Sequence, residues 1–176
     1  INRDEINQLI YKGQMIPSQI APHEGPPYYG ESEMFQVYTK YDTDLANKLL
    51  DEIGLTARDG EGYRLGLDGK ELRPIIYATQ AWPSETVEVM ELVRGYWDKV
   101  GIKASVKPEA GALWGTRHNA NEHDISARGA HFGGGPVHPT LNGNTFALGG
   151  WQWAPKWAQW LDSNGAEGVE PPDGVK

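Results

Sequence analysis

The centre of the chain alternates between short apolar runs and amphipathic segments, and this alternation constrains the fold more than any other feature. The run Leu72–Thr79 predicts a strand, residues 84–101 predict a helix with Ser84 as its N-cap, and Ile102–Val106 predicts a second strand. Residues 110–121 predict a further helix, and Asp124–Ala127 predicts a third strand. This order is typical of an α/β unit with at least partly parallel strands covered by helices.

Two more helices precede this block. Asn2 is the predicted N-cap of a helix over residues 2–12, and Asp42 begins a second helix that ends near Gly54. The segment 14–40 between them is rich in Pro and Gly and predicts a long loop.

Turn signals and a short helix complete the outline. The dipeptides Asp59-Gly60 and Asp68-Gly69 predict a hairpin over residues 57–70. Residues 155–163 predict a short helix, and the Gly- and Pro-rich end of the chain predicts an extended tail. We therefore expect one lobe over residues 1–164 and a tail over 165–176.

Composition excludes several classes of function. The formal net charge is -8 and the basic residues are scattered, so a nucleic-acid partner is not expected. There are 0 Cys, which rules out disulfides, thiolate metal sites and Cys nucleophiles. No apolar run approaches the roughly 20 residues that a membrane-spanning helix needs.

Metal and catalytic patterns are weak. His118, His123, His131 and His138 follow one another at intervals of five, eight and seven residues, which matches no compact metal-binding motif. No serine lies in a G-x-S-x-G elbow, and no pair of carboxylates is singled out for acid/base work. The sequence therefore predicts no metal, no cofactor and no catalytic residue.

Aromatic side chains and a Gly-rich loop indicate binding of a small organic ligand. Trp82 follows the first predicted strand, and residues 129–136 form a Gly-rich loop after the third. Ligands of open α/β sheets bind beyond the carboxyl ends of the strands, so both segments are candidates for ligand contact. For Trp114, both ligand contact near these segments and packing in the core remain open. For Trp151 and Trp153, ligand contact and packing between domains remain equally open.

Several short motifs in the right order resemble one family, the peptide- and nickel-type extracellular solute-binding proteins of family 5. The resemblance covers nearly the whole chain. The motifs are the opening Ile1-Asn-Arg-Asp-Glu-Ile-Asn, then Asp51-Glu-Ile-Gly-Leu, Asp59-Gly-Glu-Gly-Tyr-Arg, Asp68-Gly-Lys, Tyr96-Trp-Asp-Lys-Val-Gly-Ile-Lys, and the stretch Trp114–Asp124.

The resemblance implies a non-enzymatic lobe of a longer, two-lobed protein. The implied fold is that of a type II periplasmic-binding-protein lobe, with a mixed sheet flanked by helices. The implied partners are a peptide or small-molecule ligand, the N-terminal lobe of the same protein, and an ABC permease in the membrane. Members lie in the periplasm or are lipid-anchored outside the cell, and some bind oligosaccharides, opines or chelated nickel instead of peptides.

Residue-by-residue comparison gives the candidate ligand site and one departure from the family. Oligopeptide binders carry an aromatic and then an acidic residue after the third strand, but the matching stretch Ala130–Gly134 has no Asp or Glu. Binding of an oligosaccharide or opine is therefore the alternative within the family. A carbohydrate-active enzyme domain is the alternative outside it. The candidate ligand-binding residues are Trp82, Arg117, Arg128, Ala130, His131, Phe132, Gly133, Gly134, Trp151 and Trp153.

Overall fold

The computed structural model describes residues 1–17, 38–81, 83–128 and 154–173. Within these ranges five helices and three strands are present. In chain order they are α1 (Arg3–Tyr11), α2 (Thr43–Glu52), β1 (Ile75–Thr79), α3 (Thr86–Asp98), β2 (Ser105–Glu109), α4 (Gly111–Ala120), β3 (Ile125–Ala127) and α5 (Pro155–Asp162). None of the described helices is both long and apolar enough to cross a lipid bilayer.

The chain separates into two compact units. Unit 1 comprises Ile1–Gln19, Glu33–Gly111 and Asp124–Gly129, and unit 2 comprises Ile20–Ser32, Ala112–His123 and Ala130–Lys176. All three strands and helices α1 to α3 belong to unit 1. The predicted boundary at residue 164 stays a prediction.

The sheet has the order β2-β1-β3, and both pairings are parallel. The α/β class expected from the sequence is confirmed. Strand β2 begins three residues later than predicted, and the reason lies in the end of α3. Ile102 N donates to Trp97 O over 3.0 Å, so this segment closes the helix. The chain joins the sheet only at Ser105, whose N–H donates to Pro74 O over 3.1 Å.

The core of unit 1 lies between one face of the sheet and helices α1 and α3. Ile76 and Ala78 of β1 are both 0% exposed, and they pack in one cluster with Val93 of α3. Alternate residues of a strand point to opposite faces, so this apolar set defines the covered face. The Tyr96 hydroxyl donates to Glu5 Oε2 over 3.0 Å and links α3 to α1.

Local signals set the first two helix starts but not the third. The side chains of Asn2 and Asp42 accept hydrogen bonds from Glu5 N and Leu45 N, as predicted for N-caps. The prediction that Ser84 caps α3 is wrong, because Glu85 takes the N-cap position and makes no side-chain capping bond. A turn closed by Thr86 N–H on Pro83 O, at 3.2 Å, begins this helix instead.

The predicted hairpin over residues 57–70 forms only as two isolated antiparallel bridges, Arg58 with Arg64 and Leu65 with Glu71, and not as one continuous ladder. At the first bridge Asp59 N donates to Tyr63 O and Leu65 N donates to Ala57 O, each over 2.8 Å. The Arg64 N–H faces away from this pairing and donates to Gly101 O over 2.7 Å. The Arg64 side chain is 0% exposed, although its sequence neighbours lie in turns. Local turn hydrogen bonds and the tertiary contacts of Arg64 thus organise this segment together.

Unit 2 contains α4 from residue 112 onward and α5. Gln159 Nε2 of α5 donates to Asn119 O near the end of α4 over 3.1 Å. The described part of the tail, 165–173, forms no helix or strand but returns along α5. Val169 N donates to Lys156 O over 2.9 Å, and the Pro171 side chain is fully buried.

Candidate functional site

The carboxyl ends of the three parallel strands meet at one edge of the sheet and carry a row of polar residues. Thr79 of β1 pairs with Glu109 of β2. Arg128 follows Ala127, the last residue of β3, which pairs with Ala78, so Arg128 is next to Thr79 in the register. Residues in one row of a parallel sheet project to the same face. Thr79 and Glu109 therefore form a polar row at the edge where α/β sheets bind ligands, and Arg128 directly follows the last paired residue of β3 at the same edge.

A second polar row lies one step back from this edge. It consists of Tyr77, Lys107 and Ser126, which are in register across β1, β2 and β3. Lys107 Nζ lies 5.2 Å from the centroid of the Tyr77 ring and 4.0 Å from Glu109 Oε1. The sheet thus has one apolar face in the core and one face that carries hydroxyl and charged groups.

Glu109 stands out because its side chain is only 1% exposed. A carboxylate removed from water loses hydration that must be replaced by charges or hydrogen bonds. Lys107, with 49% of its side chain exposed, provides a cation at 4.0 Å. A buried acid at a strand end is therefore an organised feature of this edge and not a solvated surface charge.

The loop that follows β1 begins with a fixed backbone path. Gln80 N donates to Glu109 O over 2.8 Å and extends the pairing of β1 with β2 by one residue. Ala81 N donates to Thr79 Oγ1 over 3.2 Å. A Cβ atom placed on Gly111 would lie 2.8 Å from the Cβ of Ala81, so the two loops approach closely here.

Unit 2 holds a cluster of an indole and two imidazoles. The His118 ring stacks on Trp114 with centroids 4.8 Å apart and an interplanar angle of 7°. His123 is tilted against Trp114 at 5.6 Å, and the two imidazole centroids are 6.3 Å apart. Trp114 is 4% exposed and His118 is 5% exposed, which favours packing over ligand contact. Within the described ranges, no three His, Cys, Asp or Glu side chains are grouped so that they could hold a metal ion.

Two of the ten predicted ligand-binding residues lie in the described ranges. Arg128 is exposed at the end of β3 in unit 1, and Arg117 is half-buried on α4 in unit 2. His131 and His138 of the histidine series lie outside these ranges, as does most of the predicted site. The predicted residues outside the described ranges are Trp82, Ala130, His131, Phe132, Gly133, Gly134, Trp151 and Trp153.

Sequence reasoning missed Thr79, Lys107, Glu109 and Gly111 as members of this edge. One signal was available, because Ser105, Lys107 and Glu109 alternate with Val106 and Pro108 in the manner of a strand with one polar face. The predicted strand ends at Val106, before this alternation is complete.

Residues 1–151 match the model of one protein family, described as bacterial extracellular solute-binding proteins, family 5. The chain belongs to this family. The match covers most of the 176 residues and confirms the resemblance carried by the short sequence motifs.

Individual members of family 5 agree with this assignment. The chain is 37% identical, over 83 residues and 46% of its length, to the oligopeptide-binding protein OppA of Lactococcus lactis subsp. lactis (strain IL1403). A solved oligopeptide-binding protein OppA superposes with a TM-score of 0.82 at 30% identity, over 99% of this chain. The chain spans 14% of the length of the first of these relatives and 29% of the second.

The same fold occurs in a solved structure of lower identity. The mannohexaose-bound periplasmic oligopeptide-binding protein of Thermotoga maritima has a TM-score of 0.64 at 23% identity. It covers 78% of this chain, which spans 26% of that protein. This likeness supports the fold of the lobe.

Proposed function

We propose that this chain is part of the solute-binding component of an ABC importer. In this proposal the whole protein has two lobes, binds an oligopeptide or a similar small solute in the cleft between them, and catalyses no reaction. The observation that carries the proposal is the match of residues 1–151 to the solute-binding family. The two relatives named oligopeptide-binding protein OppA, at 37% and 30% identity, make a peptide the first ligand to test.

The sheet edge of unit 1 is a suitable part of such a binding surface. Arg128 is exposed there and could pair with a carboxylate of the ligand, because its guanidinium is a planar, bidentate donor. Strands β1 and β3 are parallel and end at the same edge, and the predicted aromatic contacts Trp82 and Phe132 follow these strands in the sequence. Charge and aromatic surface together suit a peptide backbone and its side chains.

An oligosaccharide or an opine is the second candidate ligand. The stretch Ala130–Gly134 carries no acidic residue that could pair with a peptide's amino group. A neutral, aromatic-lined site would bind a sugar as well as a peptide. One solved structure with the same fold is described as mannohexaose-bound, which makes oligosaccharides the right comparison set.

The proposed location and partner follow from the family. Its members are described as extracellular, so we propose that the protein works in the periplasm or, held by a lipid anchor, on the outer side of the membrane. Its partner there would be an ABC permease that accepts the closed, loaded form.

The test is a binding screen on the longest natural polypeptide that contains this chain. Calorimetry and thermal shift are measured with short peptides, oligosaccharides and opine-like amino-acid conjugates, and repeated with W82A and H131A. Saturable binding of peptides that either variant weakens supports the peptide proposal. Binding of sugars or opines alone keeps the transport function and changes the ligand. Turnover of a glycoside without release of unchanged ligand would contradict the proposal.

A further inference from the structure

The loop between β1 and α3, residues 80–85, is held at both of its ends. At its start, Gln80 N donates to Glu109 O over 2.8 Å, and Ala81 N donates to Thr79 Oγ1 over 3.2 Å. At its end, the Thr86 hydroxyl donates to Pro83 O over 2.7 Å. These three bonds fix the backbone on either side of position 82.

Gly111 permits a close approach at the start of this loop. A Cβ at Gly111 would lie 2.8 Å from Ala81 Cβ and 4.0 Å from Thr79 Oγ1. Gly111 begins α4, where Gly costs helix stability relative to Ala. The absence of a side chain at Gly111 is therefore explained by the distance to Ala81 and not by helix formation.

Packing of the hydrophobic core does not account for the close approach of Gly111 to Ala81. Gln80 and Ala81 are both exposed, so holding them in place buries little apolar surface. The contact instead restrains an exposed segment at the edge of the sheet where Thr79 and Glu109 form the polar row and Arg128 follows β3. Pre-ordering a loop raises affinity because less conformational entropy is lost on binding.

We propose that Thr79 and Gly111 are positioning residues for ligand binding. Thr79 holds the Ala81 backbone through its hydroxyl oxygen, and Gly111 leaves the space that Ala81 occupies. Together they fix Ala81, the residue that precedes the predicted ligand contact Trp82 in the sequence. This inference rests on the proposed function, because it concerns the affinity of the same ligand site.

The first experiment uses a pair of glycines in α4. In the longest natural polypeptide, G111A adds a methyl group against Ala81, whereas G115A adds one where no atom lies within 4 Å. Affinity is measured by calorimetry with the ligand found in the screen. We expect G111A to weaken binding about 10-fold, a change equivalent to about 1.4 kcal/mol, and G115A to leave it unchanged.

A compensating substitution at Ala81 distinguishes a positioning role of Gly111 from a general loss of stability. The added methyl of G111A meets the Cβ of Ala81, so A81G removes the clash in the double variant. We expect the double variant to recover affinity to within about 3-fold of the single variant A81G. A double variant that binds as weakly as G111A, with an unchanged urea midpoint, would overturn the role of Gly111.

The role of Thr79 is tested by shape-matched substitutions. T79V removes the acceptor for Ala81 N–H, whereas T79S retains it. We expect T79V to weaken binding about 3- to 10-fold and T79S to restore most of the affinity. In a W82A background the effect of T79V should shrink below about 2-fold, because the predicted ligand contact next to Ala81 is gone.

The outcomes distinguish this inference from the proposed function. If the wild-type protein binds no ligand of any class in the screen, the proposed function and this inference both fail. If the wild type binds ligand and W82A weakens it, but T79V and G111A bind like wild type, only the positioning inference fails.

Discussion

Arg64 Nη1 lies 2.5 Å from Asp51 Oδ1, and this ion pair joins a fully buried guanidinium to a carboxylate at the end of α2. The remaining donors of Arg64 reach Val100 O, Leu55 O, and the backbone and side-chain oxygens of Asn47. All five N–H groups of the guanidinium are thereby used. One side chain thus connects α2, the turn after it and the end of α3.

Replacement of Arg64 should destabilise unit 1 strongly. R64M leaves three backbone carbonyls without this donor, and each buried unsatisfied acceptor costs about 1–3 kcal/mol. We expect the free energy of unfolding to fall by about 3–5 kcal/mol, measured by urea denaturation. R94M is the control, because Arg94 pairs with Glu91 and Asp98 on the surface and should cost less than about 1 kcal/mol. Equal losses in the two variants would contradict the structural role of Arg64.

The pKa of Tyr96 should respond to Glu5. Burial, followed by the hydrogen bond to Glu5, raises the pKa of Tyr96 from 10.0 to about 12. E5Q removes the negative charge, so we expect the pKa of Tyr96 to move back toward 10.0 in a titration of tyrosinate absorbance. Y96F identifies the Tyr96 component of the signal. An unchanged titration in E5Q would contradict the contribution of Glu5.

The same shift gives stability a pH dependence in the alkaline range. The folded protein holds the Tyr96 proton more tightly than the unfolded chain, so its contribution is complete below pH 10.0 and is lost as pH rises toward about 12. We expect this loss to amount to about 2 kcal/mol in urea denaturation and to be absent in Y96F. A Y96F protein with the same alkaline loss as wild type would contradict this assignment.

Gly168 should be intolerant of a side chain for two separable reasons. Its φ of +85° is left-handed, and an added Cβ would meet Lys156 O and lie 2.7 Å from Trp160 N. Gly62 has a φ of +92° but no atom within 4 Å of an added Cβ, so G62A measures the backbone strain alone. We expect G62A to cost about 1 kcal/mol and G168A to cost at least about 2 kcal/mol more. Equal costs would show that the tail does not pack on α5 as described.

Arg128 should contribute to the affinity for ligands that carry a carboxylate. R128Q removes the charge at the carboxyl edge of the sheet, and we expect calorimetry to show about 10-fold weaker binding of such ligands. R73Q is the matched control, because Arg73 precedes β1 at the opposite edge and pairs with Glu71. Binding of an uncharged oligosaccharide should change little in either variant. Equal effects of R128Q and R73Q would contradict a local role for Arg128.

Much of the fold could be predicted because its signals are local. The N-caps Asn2 and Asp42, the helical spacing within α3 and the order of strands and helices require only residues close together in the sequence. The expected ligand edge also follows from strand order alone. The start of β2 could not be predicted, because it depends on where Ser105 meets Pro74 across the sheet.

The sequence by itself determined the α/β class, the two capped helices and, through its short motifs, the family. Tertiary structure alone decided that Arg64 is buried, because its partners come from Asn47, Asp51, Leu55 and Val100 and converge only after folding. It likewise decided that Thr79 and Glu109 share one row, since strand register is fixed by hydrogen bonds between segments far apart in the chain. Local patterns encode how a segment folds, whereas the burial of a charge depends on which distant groups surround it.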